Sequence, residues 1–455
     1  MVEPSRRRLL AALGAAVGAA GCIGNGDDGG VDTGSPAESP APSDSPTATP
    51  PPTTAASSPT ATASPEEPTD TDSDATTAPP TDGSPAVRWS RSYGDALDTR
   101  PVVGDGVVYA GSAGGAVRAH DAESGDGWTR DVSEPVQDLA LADGTLLALT
   151  GSNELGSGQT VVAMDAGSAD ERWTFGPTSW WLELLAVDGS TIYVATADDQ
   201  VGGGEETLYA VSLEDGGEQW SATITQPRDA TLTDDAVVVS SARRVFSFGR
   251  ADGSRRWKRE IPDDAYGTLA VVADTVVYAE TSRDSEPFSV LVGVDAASGE
   301  ERWRFDEWAV TWTVADGDGL YAGGARTAAV DPETGTADWT VDSPGALTPA
   351  SLTDDRLYAG GDELRAYTRD DGEQLWTWSP HPPQGGVFPA ARAGGRLYLD
   401  AYHDAEVRNQ YKFAVDAASG DGLWSFENGT ELTDLTAGGA VAAVGGADGR
   451  LYALR

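Results

Sequence analysis

The chain is poor in lysine, cysteine and histidine, and each shortage excludes a kind of structure or site. Lys258 and Lys412 are the only lysines among 455 residues, so arginine carries nearly all of the positive charge. Because Cys22 is the only cysteine, no intramolecular disulfide can form and no cysteine cluster can hold zinc or an iron–sulfur centre. The three histidines are His120, His381 and His403. Their wide separation in the sequence predicts surface or turn positions rather than metal ligands.

Positive charge as a whole is scarce. The chain has 73 acidic and 30 basic residues, a formal net charge of −43. Carboxylates hold hydrated cations, whereas the long apolar stem of lysine is poorly suited to brine. The excess of acidic residues and the shortage of lysine therefore predict adaptation to molar salt, of the haloarchaeal kind. A surface this negative repels phosphate backbones, and we therefore expect no nucleic-acid partner.

A hydrophobic run long enough to span a bilayer is missing from the start of the chain. Residues 9–20 are apolar but too short for a transmembrane helix, and three consecutive arginines precede them. Residues 5–10, SRRRLL, resemble a twin-arginine export signal. Residues 19–22, AAGC, resemble a lipobox with alanine in place of the usual leucine. We expect residues 1–22 to be a lipoprotein signal with the lipid on Cys22, which predicts a location on the extracellular face of the cytoplasmic membrane.

The next segment, residues 23–85, contains no lysine, arginine or aromatic residue. It consists mainly of serine, threonine, proline, alanine and aspartate, which cannot bury enough apolar surface to offset the entropy of ordering. We predict a disordered spacer that holds the following domain away from the membrane.

What the chain does contain is a tryptophan that recurs every 36 to 48 residues. The repeated tryptophans are Trp89, Trp128, Trp173, Trp220, Trp257, Trp303, Trp339, Trp376 and Trp424. In seven units a small residue lies ten positions earlier: Ala163, Ala210, Ser247, Gly293, Ala329, Ala366 and Ala414. Between the two marks lies an Asp-x-x-x-Gly turn, as in residues 295–299, 331–335 and 416–420. Self-similarity at this period is typical of solenoids and propellers.

Each unit reads as four short strands. In the unit that ends at Trp339, alternating apolar residues predict strands at 310–314, 319–323, 327–330 and 337–341, joined by turn residues. Sheets of this size are stable when they pack radially, with the tryptophan filling the gap to the neighbouring blade. We predict an all-β β-propeller over residues 86–455. Eight whole units and one unit split between the two ends of the domain make nine, so that strands from both ends close the ring.

The units resemble the β-propeller repeats of the pyrroloquinoline-quinone (PQQ) dehydrogenase-like superfamily, most clearly in residues 291–303 and 413–424. The resemblance implies a propeller that usually has eight blades. It also implies one of two roles, because the superfamily holds quinoprotein dehydrogenases and non-catalytic scaffolds such as the propeller lipoprotein of the outer-membrane assembly machine.

The dehydrogenases of this superfamily hold PQQ with a calcium ion ligated by Glu and Asn, use an Asp base, and often have a disulfide between adjacent cysteines. This chain has no cysteine pair and few asparagines, and Asn428-Gly-Thr430 reads as a glycosylation sequon in a loop. We therefore assign no catalytic residue, no metal site and no cofactor, with PQQ and calcium as the alternative.

The longest insertions and the aromatic-rich connections are predicted to open on one face of the propeller, which is where repeat proteins commonly bind. The insertions are residues 150–159, 198–206, 280–288 and 401–411. The candidate binding residues are Trp180, Trp181, Trp308, Trp312, His381 and Phe388. We predict a monomeric, non-catalytic, lipid-anchored extracellular propeller that binds a partner protein or surface glycan through this face. The alternatives are a membrane-tethered PQQ-dependent oxidoreductase and a carbohydrate-binding module, the latter favoured if the additional tryptophans form an exposed platform.

Overall fold

The computed structural model describes residues 86–455 except 153–157, 177–180, 198–204, 242, 262–263, 282–286, 318, 344–349, 382–384 and 404–406. Side chains at 264–268, 402–403 and 407–410 are also outside the description. The predicted signal with Cys22, the predicted spacer and Trp180 lie outside the described residues. Within the described part of the chain, no helix has the length and apolarity that crossing a bilayer requires.

Every regular element of the described residues is a β-strand, and the strands form groups of four that are consecutive in the chain except for the group that contains β1. The first strands are β1 (Val87–Ser92), β2 (Val102–Gly104), β3 (Val107–Gly111), β4 (Ala116–Asp121), β5 (Gly127–Asp131), β6 (Val136–Ala142), β7 (Thr145–Thr150), β8 (Thr160–Asp165) and β9 (Glu171–Phe175). Next are β10 (Trp181–Val187), β11 (Thr191–Ala197), β12 (Glu206–Ser212), β13 (Glu218–Ile224), β14 (Pro227–Leu232), β15 (Ala236–Ser241), β16 (Arg244–Gly249), β17 (Arg255–Glu260) and β18 (Asp264–Val272). Then come β19 (Thr275–Thr281), β20 (Ser289–Asp295), β21 (Glu301–Phe305), β22 (Val310–Asp316), β23 (Gly319–Gly324), β24 (Arg326–Val330), β25 (Ala337–Asp342), β26 (Ser351–Leu352) and β27 (Arg356–Ala359). The last are β28 (Leu364–Thr368), β29 (Gln374–Trp378), β30 (Gly386–Ala393), β31 (Arg396–His403), β32 (Val407–Asp416), β33 (Gly422–Glu427), β34 (Thr436–Gly438), β35 (Val441–Gly445) and β36 (Arg450–Leu454).

The described residues form nine four-stranded antiparallel sheets, the blades of a β-propeller. Blades 1 to 8 are β2–β5, β6–β9, β10–β13, β14–β17, β18–β21, β22–β25, β26–β29 and β30–β33. Blade 9 combines β34, β35 and β36 with β1, and β1 pairs antiparallel with β36. The predicted ring closure by strands from both ends of the domain is confirmed. The count of nine units agrees with the structure, whereas the eight blades implied by the family resemblance do not.

The core is divided among the seams between neighbouring blades. The described residues form nine hydrophobic clusters, and each draws its residues from two adjacent blades, including the pair formed by blades 9 and 1. The second strand of each blade is the most deeply buried; β19, for example, is buried along its whole length. Apolar residues occur at consecutive positions in these strands because both faces of a blade are covered by neighbours.

The spacing of ten residues between the small residue and the tryptophan follows from strand pairing. In blade 5, Gly293 of β20 lies directly opposite Trp303 of β21, and a β-bulge follows between Gly293 and Val294. In blade 1 the corresponding pair, Ala119 and Trp128, has no bulge in its register and is nine residues apart. The one extra residue in the other hairpins is therefore the bulge residue.

Each repeated tryptophan reaches across a seam to the next blade. Trp303 of blade 5 donates its indole Nε1–H to the carbonyl of Pro332 in blade 6 at 2.8 Å. The same contact, at 2.5–3.1 Å, is made by Trp89, Trp128, Trp173, Trp220, Trp257, Trp339 and Trp424. A buried indole with its donor satisfied contributes apolar burial without a desolvation penalty.

The Asp-x-x-x-Gly turn supplies the surface on which that tryptophan rests. Asp295 accepts hydrogen bonds from the amides of Ala297 and Ser298, at 3.1 and 2.8 Å. The amide of Ser298, together with its hydroxyl and the Arg302 guanidinium, lowers the pKa of Asp295 to about 2. Gly299 has φ +72°, and a Cβ there would lie 2.7 Å from the ring of Trp257. Glycine is therefore required both by the backbone conformation and by the approaching indole.

Candidate binding face

The antiparallel order of each blade fixes which connections share a face. Loops between the second and third strands open on the same side as the connections from the fourth strand to the next blade. We call this side the loop-rich face, and the opposite side, with its tight Asp-x-x-x-Gly turns, the turn face. Each of the four predicted insertions joins the second strand of a blade to the third, so its described ends belong to the loop-rich face. Residues 153–157, 198–204, 282–286 and 404–406 within these insertions lie outside the described residues.

Trp308 lies in the connection between blades 5 and 6 and is buried. Its side chain is 8 % exposed. Its ring packs edge-on against Phe305, with centroids 4.7 Å apart at 90°, and the guanidinium of Arg326 lies 5.8 Å from its centroid. This tryptophan packs the seam below the face and offers little ring surface to a ligand.

Trp312 and Phe388 are also buried, at 1 % and 4 % exposure. Trp312 belongs to the hydrophobic cluster between blades 6 and 7. Phe388 lies in β30, opposite Asp400 of β31. An aromatic platform that would favour a carbohydrate-binding module is therefore not formed by these residues or by Trp308.

The remaining candidates are closer to solvent but far apart. Trp181 is half-buried at the start of β10 in blade 3, where it pairs with Ala197. His381 is exposed in the connection between blades 7 and 8. Of the six sequence-predicted residues, only Trp181 and His381 reach solvent near the loop-rich face, and they do not belong to the same blade. Trp308, Trp312 and Phe388 are buried, and the position of Trp180 is not described, so the structure brings no common site together from these residues.

Phe288 is the prominent apolar residue that the sequence reasoning did not single out. It is 53 % exposed and ends the insertion between β19 and β20 on the loop-rich face of blade 5. Leu375, in the outer strand of blade 7, is the other large hydrophobic residue exposed in the described part of the chain, at 41 %. An aromatic residue at the end of an insertion was a signal, but nothing in the sequence separated it from buried phenylalanines.

A buried ion pair lies beneath the loop-rich face in blade 8. Lys412 Nζ lies 2.5 Å from Asp400 Oδ1, and both side chains are fully buried. The second oxygen of Asp400 accepts the amide of Leu435, in the connection to blade 9, at 3.2 Å. Burial raises the pKa of Asp400, and the Lys412 ammonium opposes that rise. The pair therefore ties two strands to the adjoining connection, and breaking it would leave an uncompensated buried charge.

The described charges on the loop-rich face are mostly negative. Exposed carboxylates occur in three of its connections: Asp306, Glu307, Asp362, Glu431 and Asp434. Two arginines near this face are engaged, Arg365 with Glu363 at 3.0 Å and Arg326 with Asp342 at 3.3 Å. A partner of this face would therefore meet a mostly negative surface as well as the apolar side chain of Phe288.

A calcium–PQQ site would need carboxylate and amide ligands gathered at one place. Among the described residues, no group of three or more His, Cys, Asp or Glu side chains is arranged to hold a metal ion. The donor set present in this part of the chain does not fit the group, and we derive no reaction through it.

The repeated seam, the nine blades and the ring closure are features that can be compared with known proteins. The family model described as outer membrane protein assembly factor BamB matches residues 80–304, 287–407 and 323–455. The chain belongs to this family. The match covers the whole propeller, and the family assignment rests on it.

Individual relatives of this BamB-family propeller are distant. The serine/threonine-protein kinase AfsK of Streptomyces coelicolor is 27 % identical over 216 residues, which cover 46 % of this chain and 25 % of the kinase. The matched region thus spans about a quarter of the length of this curated relative. The crystal structure of BamB from Moraxella catarrhalis is 17 % identical, with 81 % of this chain and 98 % of that chain covered and a TM-score of 0.49. A quinohemoprotein alcohol dehydrogenase from Pseudomonas putida HK5 is 14 % identical, with 70 % and 72 % covered and a TM-score of 0.46.

Proposed function

We propose that this protein is a non-catalytic, lipid-anchored propeller that binds a partner protein through the loop-rich face of blade 5 and its neighbours. The observation that carries the proposal is the exposure of Phe288, an aromatic side chain at the end of the connection between the second and third strands of blade 5, on the loop-rich face. Exposed aromatic residues that project from loops on a rigid scaffold are frequent anchors of protein interfaces.

Two further observations support a protein partner over a glycan. The family of this chain is described as an outer membrane protein assembly factor, and assembly depends on contacts between proteins. Trp308 and Trp312, which would have to form a flat platform for a sugar ring, are packed inside seams. The negative charge of the loop-rich face favours a partner with a basic rim about an apolar centre.

The direct test replaces Phe288 in the full chain with the photo-crosslinking residue p-benzoylphenylalanine. Leu375 provides the matched control, because it is the other exposed large hydrophobic residue described, and it lies on the outer strand of blade 7. We expect a discrete cross-linked protein from the Phe288 position after irradiation of cells, and none from the Leu375 position. The identified protein, once purified, should bind the unmodified chain and lose at least about tenfold in affinity with Phe288→Ala, as interface anchors do.

Equal cross-linking from both positions, or unchanged affinity of the Phe288→Ala variant, would contradict the proposed face. Specific attachment to a polysaccharide instead of a protein would support the glycan alternative.

The lipid anchor is tested separately by mass spectrometry of the mature amino terminus. We expect processing before Cys22 and a lipid on its thiol, with loss of membrane association in a Cys22→Ser variant. An unprocessed chain, or one that remains on the membrane without Cys22, would contradict this part of the proposal.

A titration with PQQ and excess calcium in molar KCl tests the oxidoreductase alternative. Tryptophan fluorescence of the full chain is expected to show no saturable quenching. Tight quenching with a stoichiometry near one would overturn the non-catalytic role and direct the search to substrates.

A further inference from the structure

The connection between blades 8 and 9 carries a motif that the proposed partner binding does not use. Asn428-Gly429-Thr430 follows β33 on the loop-rich face, and Gly429 within it is exposed. The chain has three other asparagines, Asn25, Asn153 and Asn409, and none of them is followed two positions later by serine or threonine. This is therefore the one Asn-x-Ser/Thr sequence of the chain.

The local geometry orders the motif as a compact turn. Asn428 Oδ1 accepts a hydrogen bond from the Thr430 amide at 3.0 Å and another from the Thr430 hydroxyl at 3.1 Å. Donation of two hydrogen bonds to an amide oxygen draws electron density from the amide nitrogen and makes its protons easier to remove. The threonine hydroxyl thus acts on the atom that a sugar would join.

The amide nitrogen itself has only long contacts with the fold. Asn428 Nδ2 lies 3.3 Å from the hydroxyl of Tyr452 and 3.5 Å from Asp448 Oδ2. Tyr452 already donates its hydroxyl hydrogen to Asp448, so the tyrosine and the aspartate retain each other if Asn428 turns outward. Release of the Asn428 side chain therefore leaves no buried polar group without a partner.

We propose that Asn428 is an N-glycosylation site. The Asn428 Nδ2 atom forms a bond to the anomeric carbon of an oligosaccharide carried on a polyprenyl phosphate, and the bond from that carbon to the phosphate oxygen breaks. The polyprenyl phosphate leaves with the bonding electron pair, and the Nδ2 proton passes to a base of the transferase. No oxidant or reductant takes part. The inference rests on the export that forms part of the proposed function.

The position of the site has a consequence for binding. Asn428 precedes blade 9, and Phe288 belongs to blade 5, four blades away in the ring of nine. A glycan at Asn428 covers one side of the loop-rich face and leaves the side with Phe288 open. Partner proteins are thereby directed towards the side of blade 5.

The test is mass spectrometry of peptides from the full chain purified from its native cells, with other membrane glycoproteins of those cells as the positive control. We expect an oligosaccharide on Asn428 in most copies of the chain. The mass is expected to disappear in Asn428→Gln and Thr430→Val, to remain in Thr430→Ser, and to be unaffected by Asn409→Gln. Thermal unfolding of each variant separates loss of the acceptor from loss of the fold.

An exported, folded chain with unmodified Asn428 would overturn this inference and leave the proposed partner binding untouched. Protease treatment of intact cells shows whether the chain is exported, so a chain retained inside the cell would instead contradict the localisation in the proposed function. Modification that persists in the Thr430→Val variant would also overturn the proposed site.

Discussion

The seam between blades 5 and 6 and the seam between blades 7 and 8 are built from the same repeat but use different hydrogen bonds. At the first seam, Trp303 donates to the Pro332 carbonyl at 2.8 Å, and Thr275 Oγ1 donates to the same carbonyl at 3.2 Å. Arg302 precedes the tryptophan and pairs with Asp274 and Asp295 of its own blade. Here the arginine lies on the outer strand and a small polar residue on the second strand.

At the seam between blades 7 and 8 the arginine lies on the second strand instead of the outer strand, and the residue before the tryptophan is apolar. Leu375 precedes the tryptophan, and Arg356 occupies the start of the second strand. The carbonyl of Ala417 accepts from Arg356 Nη1 at 2.9 Å and from the Tyr358 hydroxyl at 3.0 Å. Trp376 packs at this seam as its counterparts do, but its Nε1 has no hydrogen-bond partner among the described residues.

The difference shows that apolar packing, and not the indole hydrogen bond, is the constant feature of the seams. A carbonyl oxygen accepts two hydrogen bonds well. At the second seam Arg356 and Tyr358 already donate to the Ala417 carbonyl, so this acceptor is not open to the indole of Trp376. The donor that crosses the seam can therefore come from arginine and tyrosine while the ring still fills the gap.

The largest expected effect tests the packing that the two seams share. Trp303→Ala and Trp376→Ala should each lower the free energy of unfolding by about 3–5 kcal/mol, because each removes a large indole from a close-packed seam. Urea unfolding of the full chain in molar KCl measures both. A loss below about 1 kcal/mol for either variant would show that its seam is not held by the ring.

The next effect concerns the turn glycine under each ring. A Cβ at Gly335 would lie 2.5 Å from Trp303, and one at Gly420 would lie 2.6 Å from Trp376, both at positive φ. We expect Gly335→Ala and Gly420→Ala to cost about 1–3 kcal/mol each, through backbone strain and displacement of the ring.

Ala169 provides the control for this prediction, because it occupies the glycine position of blade 2 at φ 65°. Ala169→Gly removes the strain of an alanine at positive φ. The greater entropy of glycine in the unfolded chain partly offsets this gain, so we expect a net stabilisation of about 0.5 kcal/mol. If Ala169→Gly destabilises the chain and Gly335→Ala stabilises it, glycine is not the preferred residue at this position of the turn.

A smaller effect separates the two seams. Trp303→Phe loses a hydrogen bond in addition to part of the ring, whereas Trp376→Phe loses only part of the ring. The first substitution should therefore cost about 1 kcal/mol more than the second, as determined from the two urea midpoints. Equal losses would mean that the indole hydrogen bond contributes nothing net to the regular seam.

The smallest effect belongs to the seam between blades 9 and 1, where a histidine takes the place of an apolar residue. The sequence-based prediction of a surface or turn position is wrong for this residue, because His120 lies within β4 and is buried. His120 packs against Trp89, with ring centroids 5.3 Å apart, and its Nε2 lies 3.4 Å from the Tyr93 hydroxyl. Burial lowers the pKa of His120 below 6.5, and the nearby guanidinium groups of Arg91 and Arg118 lower it further. The unfolded chain therefore binds the proton more tightly than the folded chain.

Stability associated with neutral His120 is full above pH 6.5 and is lost as the pH falls through 6.5 towards the lower folded pKa. Unfolding measured between pH 7.5 and pH 5 should show this slope in the native chain and a shallower slope in His120→Val, since valine stands at this position in other blades. Identical slopes would exclude His120 as the source. The range is set around the ordinary histidine pKa.

Much of the fold is predictable because its determinants are local in sequence. The pairing of Gly293 with Trp303 and the turn at residues 295–299 depend on a single hairpin, and the repetition of that hairpin reveals the architecture. The candidate site was less predictable. Trp308 and Phe288 are both aromatic residues in connections, yet one is 8 % exposed and the other 53 %. That difference depends on which neighbouring blade covers each side chain, a contact between residues distant in the chain.

The sequence by itself determined the repeating unit and the acidic character of this protein, because hairpin pairing, turn conformation and net charge arise from residues near each other or from composition. It also predicted the ring closure, because the unit that is split between the two ends of the domain is complete only when its strands pair. Only the tertiary structure decided that all nine units counted in the sequence are blades of the ring, that the Asp400–Lys412 pair of one hairpin is fully buried, and which carbonyl each tryptophan reaches. The physical reason is that these features depend on the packing of one blade against the next, where burial and competition for a shared acceptor select among side chains of similar local propensity.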